Sequence, residues 1–212
     1  MNLEQLFNQY KEQSIHGRYI TLEAIEPLLQ KFNTDNQVQL IGKSVLEKPI
    51  YKYEIGYGKT RIFMWSQMHG NESTTTKGLF DFLNVLNSGS DFALQLLNTF
   101  TFCCIPMLNP DGAELYTREN ANKVDLNRDS QNLTQPESRL LRETFEVFNS
   151  GSDSVLLTSL AFGTGLLLGD HIKINGAGPY TVKLLIAGSG VMNVYLFETA
   201  PLMGSSTGIL DV

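Results

Sequence analysis

Along the first 148 residues, apolar positions recur with two different periods, each confined to its own stretches of chain. Residues 2–12 and 22–32 carry the helical period, with Leu22, Ile25, Leu28 and Leu29 forming one apolar stripe. Residues 37–41 and 50–55 read as strands. Gly56 to Gly58 predicts a turn into residues 61–66, whose RIFMWS run suits a strand buried on both faces of a parallel sheet. A helix is predicted from about Ser73, with Leu79, Phe82, Leu83 and Leu86 on one side. Residues 100–107 make a second buried strand. Thr134-Gln135-Pro136-Glu137 reads as a capping box that opens a helix burying Leu140, Leu141, Thr144, Phe145 and Phe148.

Beyond Asn149-Ser150-Gly151-Ser152 the pattern becomes strand-like. Residues 154–160, 165–168, 180–187 and 191–197 are short apolar runs separated by glycine-rich turns. Composition shifts at the same place. No arginine follows Arg142 and no glutamine follows Gln135, while ten of the 18 glycines fall in 151–212. The predicted organisation is a core over 1–150 and a glycine-rich β segment over 151–212. That segment is either a divergent remainder of the same domain or a separate small unit. Alternating strands and helices predict an α/β fold: a mixed, mainly parallel sheet with helices on both faces. Extension of that sheet by the last segment is the preferred reading.

The charge balance narrows the partners. With 16 Lys+Arg against 22 Asp+Glu in 212 residues, the formal net charge is -6. Phosphate binding needs a basic footprint, so nucleic acid is not an expected partner. No apolar run approaches the ~20 residues of a membrane span, so no membrane partner is expected either. The start, MNLEQLFNQYKEQ, lacks the basic and apolar regions of a secretory signal, and a soluble cytoplasmic protein is expected. The two cysteines, Cys103 and Cys104, sit side by side in FTFCCIPML and read as small hydrophobes on a strand.

Candidate chemistry lies directly after RIFMWS, where Gln67-Met68-His69-Gly70-Asn71-Glu72 leads into the predicted helix. In open α/β sheets ligands bind outside the carboxyl ends of strands. A histidine and a glutamate three apart on a tight turn can direct a ring nitrogen and a carboxylate at one zinc ion. Catalytic zinc commonly takes three protein ligands and leaves a position open for water. HxxE alone is a weak signal, because a strand-capping histidine and a glutamate favouring a helix dipole give the same letters.

Two further motifs change that weight. The stretch QVQLIGKSVLEKPIYKYEIGYGKTRIFMWSQMHGNE (37–72) is followed by MLNPDG (107–112) and YTRENANKVDLNRD (116–129). Together these resemble the zinc carboxypeptidases of the carboxypeptidase A/B type. In that family a strand pair leads to a third strand ending in HGxE, then an asparagine-proline-aspartate-glycine turn, an arginine, and DxNR. The three motifs stand in the family's order over roughly residues 16–148. The resemblance implies one Zn(2+) as cofactor and a peptide or amino-acid-conjugate substrate with a free C-terminal carboxylate. It implies His69 and Glu72 as the first two zinc ligands. Arg118 matches the arginine that polarises the scissile carbonyl and stabilises the oxyanion, and Asn127 and Arg128 match the pair that holds the terminal carboxylate. Physical chemistry supports these roles: a guanidinium grips a carboxylate bidentately, and a fixed cation beside a metal stabilises developing negative charge. Asn71 stands where some members carry an additional substrate-binding arginine, which leaves subsite preference open.

The family's third ligand is a histidine at the end of the strand after the helix matching 136–148. Residues 154–160 contain none. Of the remaining histidines, His16 lies far upstream and reads as a surface residue, so His171, in Leu168-Gly169-Asp170-His171, is the candidate. A lone histidine in a glycine-rich turn is more often solvated than metal-bound. The family's general base is a glutamate ending a late strand. Glu198, at the end of VYLFETA and the only glutamate after Glu146, fits that form, as does an edge-strand glutamate facing water. Tyr180, in GAGPY, matches the family's substrate-covering tyrosine. The function implied is a zinc metallocarboxypeptidase cutting the C-terminal peptide or peptide-like amide bond. A zinc amidase acting on N-acyl amino acids or cell-wall peptides, and a catalytically inactive carboxylate-binding pseudoenzyme, are the two rival readings.

Overall fold

The computed structural model describes residues 3–149, together with strand segments 155–159, 171–174, 177–181 and 195–196. Two helices come first, α1 (Leu3–Tyr10) and α2 (Leu22–Phe32), then a hairpin of β1 (Val38–Lys43) and β2 (Pro49–Gly56). Strand β3 (Thr60–Trp65) leads through the HxxE turn to α3 (Thr74–Leu86). Helix α4 (Asp91–Thr99) runs directly into β4 (Phe100–Ile105), and the short helices α5 (Pro110–Leu115) and α6 (Leu126–Asp129) precede α7 (Pro136–Asn149). The remaining strands are β5 (Val155–Ser159), β6 (His171–Ile174), β7 (Ala177–Thr181) and β8 (Tyr195–Leu196).

Six strands form one mixed sheet in the order β1-β2-β4-β3-β5-β8. Its centre is parallel, with β3 paired to β4 on one side and to β5 on the other. The flanking pairs β1–β2, β2–β4 and β5–β8 are antiparallel. Strand β5 lies beyond the compositional break and joins the same sheet. Among the described residues, strands β6 and β7 pair only with each other, as a separate antiparallel hairpin.

The continuous apolar runs of β3 and β4 reflect burial on both faces, since successive side chains on a strand point oppositely. Ile62, Met64, Phe102 and Cys104 face a core shared with α2 and α3, including Leu28, Leu29, Leu79 and Phe80. Phe63, Cys103 and Ile105 face the other core, where Phe148 is buried and Leu140, Leu141 and Phe145 of α7 pack partly covered. Removing the buried Phe63 ring would cost about 3–5 kcal/mol on the scale of such truncations. Both cysteines are free and buried, and desolvation pushes the Cys103 thiol up to about 12. They serve as small hydrophobes, as the sequence predicts.

One helix lies outside the predicted elements, and one local reading is corrected. Helix α4 follows Ser90, whose hydroxyl accepts from the Ala93 amide. It escapes the periodicity because Leu94 on it is exposed and only Ala93 and Leu97 are buried. The start of α7 is where expected, but not through a capping box. The Thr134 hydroxyl donates to Asp129 Oδ1 at 2.6 Å, and Glu137 is fully buried, accepting from the Val45 amide at 3.1 Å and from Asn120 Nδ2 at 3.0 Å.

Candidate active site

Strands β3 and β4 end at the same edge of the sheet, and the turns leaving them are stitched together. The Ser66 amide donates to Ile105 O, Leu108 N to Ser66 O, and Asn109 N to Gln67 O. Gly70 and Gly112 then touch backbone to backbone. A Cβ on Gly70 would lie 1.9 Å from the carbonyl carbon of Gly112, so glycine is required for this approach. Gln67, the first residue of the functional turn, has φ 48, a left-handed conformation unfavourable for a side-chain-bearing residue. Its side chain holds it there: Nε2 donates to Ile20 O and Gly70 O, both at 2.9 Å, and Oε1 accepts from Thr76 Oγ1 at 2.7 Å.

This frame presents His69, which is only 8% exposed, between two carboxylates. Its Nδ1 lies 3.0 Å from Glu72 Oε1 and its Nε2 lies 3.0 Å from Asp125 Oδ1. Arg118 closes the cluster, with Nε donating to Asp125 Oδ2 at 2.9 Å and Nη1 to Glu72 Oε1 at 3.2 Å. Burial works against a charged His69, but hydrogen bonding to Glu72 and Asp125 outweighs it and raises its pKa. The hydrogen bond from His69 holds the Glu72 carboxyl below its ordinary range. For Asp125, burial is outweighed by the bonds from His69 and Arg118, so it too is held low. The group is a hydrogen-bonded array of one imidazole, one guanidinium and two carboxylates.

The loop that brings Arg118 and Asp125 to His69 is fixed from beneath. Asn120, buried, accepts from the Asn122 and Val124 amides through Oδ1 and donates through Nδ2 to Gln135 and Glu137. Asn109 caps α5 by accepting from Gly112 N at 2.9 Å. Asp111, also buried, accepts from Ser44 Oγ and from the Leu46 amide in the β1–β2 turn. The asparagine-proline-aspartate-glycine segment is therefore the capped first turn of a helix.

The structure brings together His69, Glu72 and Arg118 and adds Asp125, to which the sequence reading assigned no role. Asp125 stands in the DLNR segment, and a carboxylate just before the two residues expected to anchor the substrate was the available signal. Asn127 and Arg128 follow it on α6, both exposed, with the Asn127 amide donating to Asp125 Oδ1. His16 is exposed, as expected. His171 and Tyr180 fall on the β6–β7 hairpin, paired with Thr181 and Ile172 respectively. Neither is in a glycine turn or a loop, as the glycines around them suggested. Asn175-Gly176, the dipeptide between Ile174 and its partner Ala177, is a strong hairpin signal. Glu198 lies outside the described residues.

Among the described residues, no group of three His, Cys, Asp or Glu side chains is arranged to hold a metal ion. The donor types at His69 and Glu72 nevertheless fit two zinc positions. An imidazole nitrogen and a carboxylate oxygen face each other across the turn, and the other ring nitrogen is oriented by Asp125, as metal-ligating histidines require.

The mixed α/β sheet thus carries a histidine–carboxylate–guanidinium cluster at the end of its central strands. Residues 21–154 match the zinc carboxypeptidase family, and the chain belongs to it. It is 39% identical over 83 residues to the gamma-D-glutamyl-L-diamino acid endopeptidase 1 of Lysinibacillus sphaericus, a match covering 35% of this chain and 21% of that protein. Carboxypeptidase E of Caenorhabditis elegans is 28% identical over 151 residues, covering 58% of this chain and 32% of that protein. The chain thus spans less than a third of either relative. The fold is that of the metallo-carboxypeptidase from Burkholderia cenocepacia (TM-score 0.53, 21% identity, 64% of this chain and 40% of that one). Thrombin activatable fibrinolysis inhibitor shares it (TM-score 0.55, 16% identity, 72% and 52%). Among the described residues, no helix is long and apolar enough to cross a membrane.

Proposed function

We propose that this chain is a zinc-dependent hydrolase that removes the C-terminal residue of a peptide, or of a peptide-like amide, through a site centred on His69. The observation that carries the reading is the bracketing of His69, Nδ1 toward Glu72 and Nε2 toward Asp125, with Arg118 bonded to both carboxylates. A zinc ion bound by His69 and Glu72 would supply Lewis acidity, polarising a carbonyl and acidifying water.

Each other step belongs to side chains. Asp125 keeps the His69 ring in one orientation. Arg118 stabilises negative charge developing on the scissile carbonyl oxygen, releasing its hold on Glu72 as it does so. Asn127 and Arg128 anchor the terminal carboxylate, a charge-assisted contact that selects exopeptidase substrates. Residues 151–212 complete the machinery in this reading: His171 is the third zinc ligand, Tyr180 covers the substrate, and Glu198 takes the proton from water and delivers it to the leaving amine.

Metal content of the purified protein and hydrolysis of paired peptides test it. A peptide with a free terminal carboxylate should be cut and its amidated twin cut poorly. Absence of bound zinc, or equal cleavage of both, would overturn the reading. A second reading is supported by the 39% identity to the gamma-D-glutamyl-L-diamino acid endopeptidase. A zinc amidase of cell-wall peptides would use the same cluster on a different acyl group, and preferential cleavage of such peptides over ordinary ones would favour it.

A further inference from the structure

Next to the His69 turn lies an aromatic pair that the chemistry above does not use. Tyr19 and Tyr116 have ring centroids 4.6 Å apart at 60°. Tyr19 is 66% exposed, unlike Phe63, Phe80 and Tyr53 of the core, which are fully buried. The pair therefore holds apolar surface in water beside the candidate active site.

Its position is fixed by the backbone on both sides of the turn. On one side, Ser73 Oγ donates to Arg18 O at 2.6 Å and Gln67 Nε2 to Ile20 O at 2.9 Å, so Tyr19 is clamped between two residues bonded to the ends of the turn. On the other side, the Asn71 amide donates to Thr117 O at 3.1 Å, directly after Tyr116. Tyr116 itself has φ 54, and the Thr117 amide donating to Gly112 O at 2.9 Å holds the chain in that path. A bulky residue in the left-handed region is uncommon, and here it ends α5 and sets the ring against Tyr19. The two rings meet along the turn that carries His69 and Glu72, and Arg118 is only two residues beyond Tyr116.

We infer that the Tyr19–Tyr116 pair is an apolar subsite receiving an aromatic or large aliphatic side chain of the peptide. The inference rests on the peptidase reading and adds the side-chain class that the site favours. Two rings preset at a tilted angle, on backbone already ordered, present a face and an edge to an incoming ring at little entropic cost.

The test uses the zinc-loaded protein and uncleavable ligands, peptides whose scissile amide is replaced by a ketomethylene group. Two ligands are compared by calorimetry, identical except that the two residues preceding the replaced amide are Phe in one and Ser in the other. The Phe ligand should bind about three- to tenfold tighter. Tyr19→Ala and Tyr116→Ala should each remove most of that difference, while Tyr19→Phe, which keeps the ring, should retain it. Equal affinity of the two ligands for the parent protein, or an undiminished preference in both alanine variants, would overturn the inference. Turnover of the corresponding cleavable peptides is measured separately. A preference without turnover would count against the peptidase reading and leave the subsite standing.

Discussion

Two turns leave neighbouring parallel strands at one edge of the sheet, and they use their side chains in opposite ways. After β4, Asn109 caps its own helix, donates to Met68 O and is fully buried, and Asp111 ties down the β1–β2 turn. After β3, the turn holds Gln67 in a left-handed conformation, and α3 begins at Thr74 with no side-chain cap, because Ser73 donates to Arg18 O. His69 and Glu72 are directed at groups far away in sequence. One turn makes structure, and the other is held by structure. The comparison teaches that a left-handed Gln67 and the His69–Glu72 pair rest against an adjoining turn whose own polar side chains are fully engaged.

The sharpest break in this contrast should come from the functional turn. Replacing His69 or Glu72 by alanine should remove most bound zinc, measured by elemental analysis, and with it all zinc-dependent stabilisation. Full occupancy in both variants would leave the two turns without a difference in role. The same experiment on His171 asks whether the β6–β7 hairpin contributes. Its alanine variant should lose affinity for zinc far more than the His16 variant does, and equal affinities would remove it from the ligand set. Next in size, Glu198→Gln keeps side-chain shape but cannot accept a proton, so turnover should fall ~100-fold or more at unchanged zinc content. Undiminished turnover would mean that the base lies elsewhere.

How much of this was legible in the sequence follows from where the determining contacts lie. IFMW and FCCI are readable as central strands because burial on both faces makes successive positions apolar, a property of the run itself. His69 and Glu72 are legible because their spacing is local and two companion motifs recur in order. Asp125 was not, because its partner His69 is 56 positions upstream and only folding joins them. Gln67 was not either, since left-handed backbone at a glutamine has no letter code. Thr134 and Glu137 misled for another reason: their pattern matched a capping box, but Asp129, five residues back, claimed one side chain and the distant Val45 amide the other.

Smaller effects sharpen the contrast. Arg128→Ala should erase the discrimination between a free and an amidated C-terminus, a charge-assisted bond of ~1.5–3 kcal/mol, read as the ratio of kcat/KM for the two peptides. A ratio unchanged by the substitution would assign the terminal carboxylate to another anchor. On the structural turn, Asn109→Ala should lower the stability of the zinc-free protein by about 0.5–2 kcal/mol, the range for a lost helix cap, in a denaturant titration. An unchanged midpoint would show that Asn109 is not the element on which the neighbouring turn rests.

The weakest expected effect is a pH dependence at the far end of the same loop. Asp129 ends α6 and fastens the approach to α7, accepting from the Thr134 amide and hydroxyl through Oδ1 and from the Gln135 amide through Oδ2. Burial tends to raise its pKa, but these bonds outweigh burial and hold the carboxyl below its ordinary value. A carboxyl lowered on folding stabilises the native state at every pH above its unfolded pKa of about 3.9. That stability is lost as the pH falls below this value and through the lower folded pKa. Asp129→Asn keeps a carbonyl acceptor but cannot titrate, so the variant should be less stable at neutral pH, and its stability should fall less steeply than the parent's below about pH 4. Chemical denaturation of the zinc-free protein across pH 3–7 (roughly the span that brackets this titration) isolates the effect from metal binding. Parallel curves for the two proteins would show that Asp129 gains nothing from ionising in the fold. The Thr134–Gln135 segment would then owe its position to the Glu137–Asn120 contacts beneath it instead.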